Sequence, residues 1–229
     1  MMSSQIGFPV YLEVGSKRTF AGAIEWPGWC RSGRDEPSAL ERLISYGPRY
    51  ARAIHAVQLH IDIPTFSSEL VVTERMKGNA TTDFGAPGFA PAEDERPIDQ
   101  LELDHLVKLL KACWLAFDGA ARASEGKPLR KGPRGGGRDL PEIVQHVHDA
   151  NRAYLARLAW TLAAALEPNP AAGINQMLEE VMKALAAATA GHLPSRGPRG
   201  GSLWTPRYFV RRVAWHMLDH AWEIEDRAV

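Results

Sequence analysis

The chain has 229 residues, 27 basic and 27 acidic side chains, no formal net charge and an apolar content of 45%, which describes globular material with enough length for one large or two small cores. Zero net charge argues against a role built on neutralising a nucleic-acid backbone, and two cysteines, Cys30 and Cys113, make no disulfide framework and suit a reducing compartment. Residues Met1 to Pro9 hold no basic stretch followed by an apolar one, and no apolar run nears the roughly 18 residues that cross a bilayer, so a cytoplasmic chain without a membrane segment is expected.

In chain order, Val10, Leu12 and Val14 alternate with Tyr11 and Glu13, and Phe20, Gly22 and Ile24 alternate again after Gly15-Ser16-Lys17. This pattern predicts a β-hairpin. Trp26-Pro27-Gly28-Trp29 ends the second strand, because proline removes a ladder donor and glycine accepts turn geometry. A helix follows, with Asp35 as N-cap, Glu36 and Pro37 in its first turn and Leu40, Leu43 and Ile44 as its apolar stripe. Gly47-Pro48 is expected to stop or kink it, with Tyr50 to Val57 as a second helical piece and a short strand at Leu70 to Thr73. Gly78 to Pro97, rich in Gly, Ala, Pro and acids, reads as a domain boundary separating residues 1–90 from 98–229.

Beyond that boundary the periodicity is helical throughout. Leu101 to Ala121, Leu140 to Leu166, Ile174 to Ala188 and Pro206 to Arg227 each carry an apolar stripe. The fold class expected is therefore α+β: a small ββα-type N-terminal domain followed by an all-α four-helix bundle. The first and second helices, and the third and fourth, are joined by connections of about 15 residues, longer than the usual 2–8, which allows crossover connections. Each of these loops contains Gly-Pro-Arg-Gly-Gly, five residues that are weak evidence for a duplicated helix pair.

The eight histidines differ in setting. His216 and His220 stand at i, i+4 spacing on the face of the last helix that also carries Phe209, Val213 and Ile224, so both imidazoles point inward; Glu223 falls in the same arc. Unpaired, each buried polar group costs roughly 1–3 kcal/mol. A divalent cation held through the ring nitrogens removes that cost if another helix supplies a third ligand. On the second helix His146 borders the buried stripe beside Ala150 and Ile143, whereas His148 lies about 200° away, so His146 is the candidate. Chance spacing among eight histidines, or imidazoles satisfied by a carbonyl or a tyrosine hydroxyl, is the plainer alternative. His55, His60, His105 and His192 show no partner pattern.

Ile143-Val144-Gln145-His146-Val147-His148-Asp149-Ala150, followed by Tyr154, resembles the second-helix signature of the DinB-like (YfiT-like) superfamily, and Ala214-Trp215-His216-Met217-Leu218-Asp219-His220 resembles its final-helix signature. The resemblance covers roughly residues 98–227. It implies a four-helix bundle with crossover connections in which His146, His216 and His220 hold zinc, nickel or manganese in an open cavity. His148 is an extra histidine that the pattern does not require. Residues 8–57 are similar to a HicB-like ββα unit, a partner-binding module, which implies an accessory domain.

A site of three neutral imidazoles leaves the metal its full double charge and an open position, suited to activating water or a thiolate. The superfamily includes transferases that use low-molecular-weight thiols, so the resemblance implies either metal-assisted hydrolysis or thiol transfer on a small-molecule substrate. Glu223 is the candidate general base or fourth ligand, with a solvated terminal carboxylate as its plainer reading. Asp149, three residues past His146, is a candidate to orient that imidazole. Arg134 and Arg138, with Arg130 and Lys131, precede the second helix of the bundle. They are candidates to receive the carboxylates of a thiol cofactor or an acidic substrate, against the alternative of a flexible basic linker. No spacing supports a covalent nucleophile. The alternative to an enzyme is a non-catalytic regulatory protein, with a metal-stabilised bundle and a protein partner bound through the N-terminal domain. A homodimer is compatible with either, and neither calls for a nucleic acid.

Overall fold

A computed structural model describes residues 7–131, 137–162, 170–194, 196–197 and 202–229, the side chains of 170–174 excepted. The chain is mixed α/β, a four-stranded sheet followed by helices, and it divides into two compact units, Met1–Arg96 and Pro97–Val229.

In the first unit the hairpin forms as expected: β1 (Phe8–Val14) pairs antiparallel with β2 (Thr19–Ala23), Val10 opposite Ala23 and Val14 opposite Thr19. A third strand, β3 (Cys30–Gly33), extends the sheet beyond β2, a strand not expected because Cys-Arg-Ser-Gly has no apolar alternation. Helix α1 (Glu36–His55) opens on a capping box in which Asp35 accepts from the Ser38 amide at 2.9 Å. It runs unbroken through Pro48, where a stop or kink was expected. Contacts on both sides of the proline hold it. The Trp29 indole donates to the Leu43 carbonyl at 2.9 Å and stacks on Tyr50, whose hydroxyl donates to the Pro27 carbonyl at 3.0 Å. Tertiary packing thus outweighs the lost helical hydrogen bond. Gly47 lets this packing occur, since a Cβ there would stand 2.4 Å from a methyl carbon of Ile63.

Strand β4 (Leu70–Lys77) is longer than its predicted Leu70 to Thr73 and lies parallel to β1, giving the order β3-β2-β1-β4. Its extension has a cause in the next segment. Gly78 to Pro97, read as a boundary, contains the short helix α2 (Ala80–Phe84), capped by Asn79, and folds back onto β1. The fully buried carboxylate of Glu13 accepts from the Thr82 hydroxyl at 2.5 Å, the Gly88 amide at 2.9 Å and the Phe89 amide at 3.1 Å. The division between units accordingly falls at the far end of the segment, between Arg96 and Pro97.

The second unit contains α3 (Gln100–Ala123), α4 (Leu140–Arg157), α5 (Pro170–Thr189) and α6 (Pro206–Arg227). Leu106, Leu110, Cys113, Trp114 and Phe117 of α3 are buried, and this helix packs mainly on α6. Arg207 forms a two-pronged ion pair with Glu102 and donates to the Pro97 carbonyl at 3.0 Å, fixing the start of α6 against the first turn of α3. Helix α4 packs on α5 and α6. It ends at Arg157, well before the expected Leu166, because Ala159 turns left-handed at φ 59° and the Trp160 amide returns to the Leu155 carbonyl at 3.1 Å. The Trp160 indole instead donates to Glu180 of α5 at 2.9 Å. Sixteen of the 22 residues of α6 are buried, so it is the core helix of the unit. Among the described residues no helix is long and apolar enough to cross a membrane.

Candidate metal centre

Helix α6 presents His216 and His220 on one face, and α4 brings His146 against them. One ring nitrogen from each of the three lies within 4.8 Å of the others. The ring centroids stand 5.0 Å apart for His146 and His216, 5.0 Å for His146 and His220 and 4.6 Å for His216 and His220. His216 and His220 are buried and His146 is half-buried, so the cluster has a wet side on α4.

The hydrogen bonding of the three rings is unequal. Nε2 of His216 meets Nε2 of His146 at 3.2 Å, and one proton at most fits between two such nitrogens. Among the described residues, Nδ1 of His216 is buried without a hydrogen-bond partner. Nδ1 of His220 meets Oε2 of Glu223 at 2.7 Å. An ionised carboxylate only accepts, so Nδ1 carries the proton, and in the neutral ring Nε2 carries the lone pair. Burial holds His216 well below the ordinary imidazole value, reinforced by His220, His146 and Arg212. Burial, with Arg138 and His220, lowers His146 as well. Both rings are therefore kept neutral, the form in which imidazole binds metal.

These features fit a divalent cation. The donor set is all imidazole, and the 3.2 Å between the two Nε2 atoms is close to the roughly 3.3 Å separating two nitrogens on one tetrahedral zinc. His220 has the outer carboxylate that metal-bound imidazoles use to fix their orientation. Burial alone would raise the Glu223 carboxyl, but hydrogen bonds from His220 and Arg227 outweigh it and hold the group below its ordinary value. Both Glu223 oxygens are engaged, one by His220 and one by Arg227. Asp149 accepts from the Gln145 amide at 2.9 Å and makes no hydrogen bond to His146 among the described residues. His148 takes no part in the cluster.

A cleft of about 790 Å³ opens beside His146, where Arg122 and Arg138 share the walls with the carboxylates of Asp118, Glu125, Glu142 and Asp149. Arg122 is paired with Asp118 at 2.9 Å, whereas the Arg138 guanidinium makes no hydrogen bond or ion pair among the described residues. Arg134 lies outside the described residues, as do the rest of the first Gly-Pro-Arg-Gly-Gly segment and residues 198–201 of the second. Sequence reasoning assigned no role at the site to two neighbours. Tyr154 faces the His216 ring at 5.7 Å and accepts from Arg212 at 3.3 Å, and Arg227 holds Glu223. The i, i+4 spacing of Glu223 and Arg227 was the available signal for the second.

Comparison with known proteins supplies no relative: no family model, no curated protein and no solved structure matches the chain.

Proposed function

We propose that the protein is a divalent-metal-dependent enzyme of the DinB-like type, with His146, His216 and His220 as ligands to zinc, nickel or manganese. The observation that carries this reading is the convergence of three imidazoles from α4 and α6, two of them buried and two held neutral. In this reading α3 to α6 form a four-helix bundle with crossover connections, and the unit Met1–Arg96 is a HicB-like accessory domain. A cation so held supplies Lewis acidity, enough to activate water or a low-molecular-weight thiol towards a small substrate.

The residues of the chain do the rest. His220 is oriented by Glu223, which acts on the ligand instead of on substrate. Arg138 offers its guanidinium to an anionic part of the substrate or thiol in the cleft next to His146. The half-buried edge of His146 is the side from which a small molecule reaches the centre.

The test is elemental analysis of untagged protein, together with turnover of thiol conjugates, esters and amides with and without a chelator. One metal per chain and chelator-sensitive turnover support the proposal; a chain that takes up no metal overturns it. One metal without turnover, with a protein captured through the unit bearing the exposed Phe66 and Phe84, favours a regulatory protein with a metal-stabilised scaffold.

A further inference from the structure

Arg227 stands one turn beyond Glu223 on α6, and its guanidinium has three acceptors from separate parts of the chain. Nη1 pairs with Oε1 of Glu223, Nε donates to the Arg130 carbonyl at 2.9 Å, and Nη2 donates to the Arg138 carbonyl at 2.6 Å. The guanidinium lies over Gly137, where φ is 124° and an added Cβ would stand 2.8 Å from Nη2. The segment answers in kind. The Arg130 amide donates to the Arg227 carbonyl at 2.8 Å, the Arg130 side chain donates to the Asp226 carbonyl at 2.6 Å, and Leu129 bridges to Ala228.

An exposed i, i+4 ion pair is worth little and needs no such setting. Here the side chain is mostly buried, at 17% exposure, and the planar fork is filled in three fixed directions, a geometry that arginine makes and lysine does not. The contacts lead from there to the histidines: Arg227 holds one oxygen of Glu223, and the other oxygen receives the Nδ1 proton of His220. Glu223 is about one-third exposed, so without Arg227 its carboxylate is open to competing water.

We infer that Arg227 is a positioning residue for the histidine cluster: by fixing Glu223 it makes His220 present the lone pair of Nε2 to His146 and His216. The same guanidinium seats the carbonyl of Arg138, and so ties the wall of the cleft to the ligand-bearing helix. The consequence for metal binding rests on the proposed metal centre, but the orientation of His220 does not, and it is measurable in the metal-free chain.

The experiment uses the full chain with 15N-labelled histidine, metal-free and in buffer that keeps the rings neutral, and long-range proton–nitrogen spectra to assign the tautomer of His220. Zinc affinity is measured in parallel by competition with a chromogenic chelator. The wild type should show the proton on Nδ1. Arg227→Met should populate both tautomers and weaken zinc by on the order of 10–100-fold, the usual effect of losing an outer partner. Arg227→Lys should keep the tautomer, by retaining a cation beside Glu223, with a smaller loss of affinity; it also serves as the readable variant if the methionine substitution prevents folding. A shift of tautomer in Arg227→Met when even the wild type binds no zinc would uphold this inference while removing the metal centre. An unchanged tautomer with zinc affinity within about twofold, even with a lowered Tm, would overturn it.

Discussion

Glu13 in the first unit and His216 in the second are both almost wholly buried polar side chains, at 0% and 5% exposure, yet their surroundings differ in kind. Three donors converge on Glu13, from Thr82, Gly88 and Phe89, and its hydrogen bonds bring the segment 78–90 onto the sheet. Around His216 the neighbours are two more imidazoles, its Nδ1 has no partner among the described residues, and Arg212 and Arg138 add positive charge. A buried polar group that is fully satisfied stabilises a fold. One whose lone pairs converge with those of its neighbours, unsatisfied by the protein, leaves room for a ligand.

The largest expected contrast is in metal content. His216→Ala combined with His220→Ala should take bound metal from about one per chain to none, while Glu13→Gln leaves it unchanged, both read by elemental analysis. Metal retained in the double histidine variant would break the comparison. Next in size is Glu13→Ala, which takes the shared acceptor from the buried Thr82 hydroxyl and from the Gly88 and Phe89 amides and should destabilise the first unit by on the order of 3–5 kcal/mol in urea denaturation. A loss under about 1 kcal/mol would mean that the buried carboxylate is not what joins segment 78–90 to the sheet.

Zinc at about 100 times its Kd should add roughly 2.7 kcal/mol to the stability of the second unit, and a chelator should reverse the gain. Calorimetry should show no such response in the double histidine variant. A smaller, pH-linked effect follows in the metal-free protein. His216 and His146 have folded values below the ordinary imidazole value of 6.5, so the unfolded chain takes protons that the folded one refuses. Their contribution is complete above the unfolded value and declines as pH falls below about 6.5 towards the folded values. The Tm should therefore drop between about pH 7.5 and pH 5.5, and His216→Gln should flatten that slope; a rise in Tm on acidification would contradict the assignment of neutral rings. Smallest of all, Phe84→Ser should change stability by less than about 0.5 kcal/mol, because Phe84 is 89% exposed.

Much of the framework was legible in the residues. Alternation at Val10 to Ile24 gave the hairpin, Asp35 and Pro37 marked the start of α1, and Pro206 to Arg227 bounded α6 where the structure has it. What was misread depends on distant contacts. Pro48 is tolerated because Trp29 and Tyr50 flank it, β3 forms because β2 offers an edge, and Gly78 to Pro97 is structured because Glu13 lies beneath it. At the site, i, i+4 spacing put His216 and His220 together and the helical wheel chose His146 over His148, and the structure brings those three into one cluster. The carbonyls that seat Arg227 come from a loop some 90 residues away in the chain, where no periodicity points.

Local spacing, then, determined by itself which side chains share a face of a helix, because 3.6 residues per turn is a property of the backbone. It also determined where helices begin, since caps and prolines act within a few residues. Only the tertiary structure decided which faces meet, which carbonyls seat Arg227, and that one buried carboxylate is satisfied while a cluster of imidazoles is not. The physical reason is that hydrogen-bond satisfaction in a core is a sum over neighbours drawn from the whole chain, and no window of sequence contains its terms.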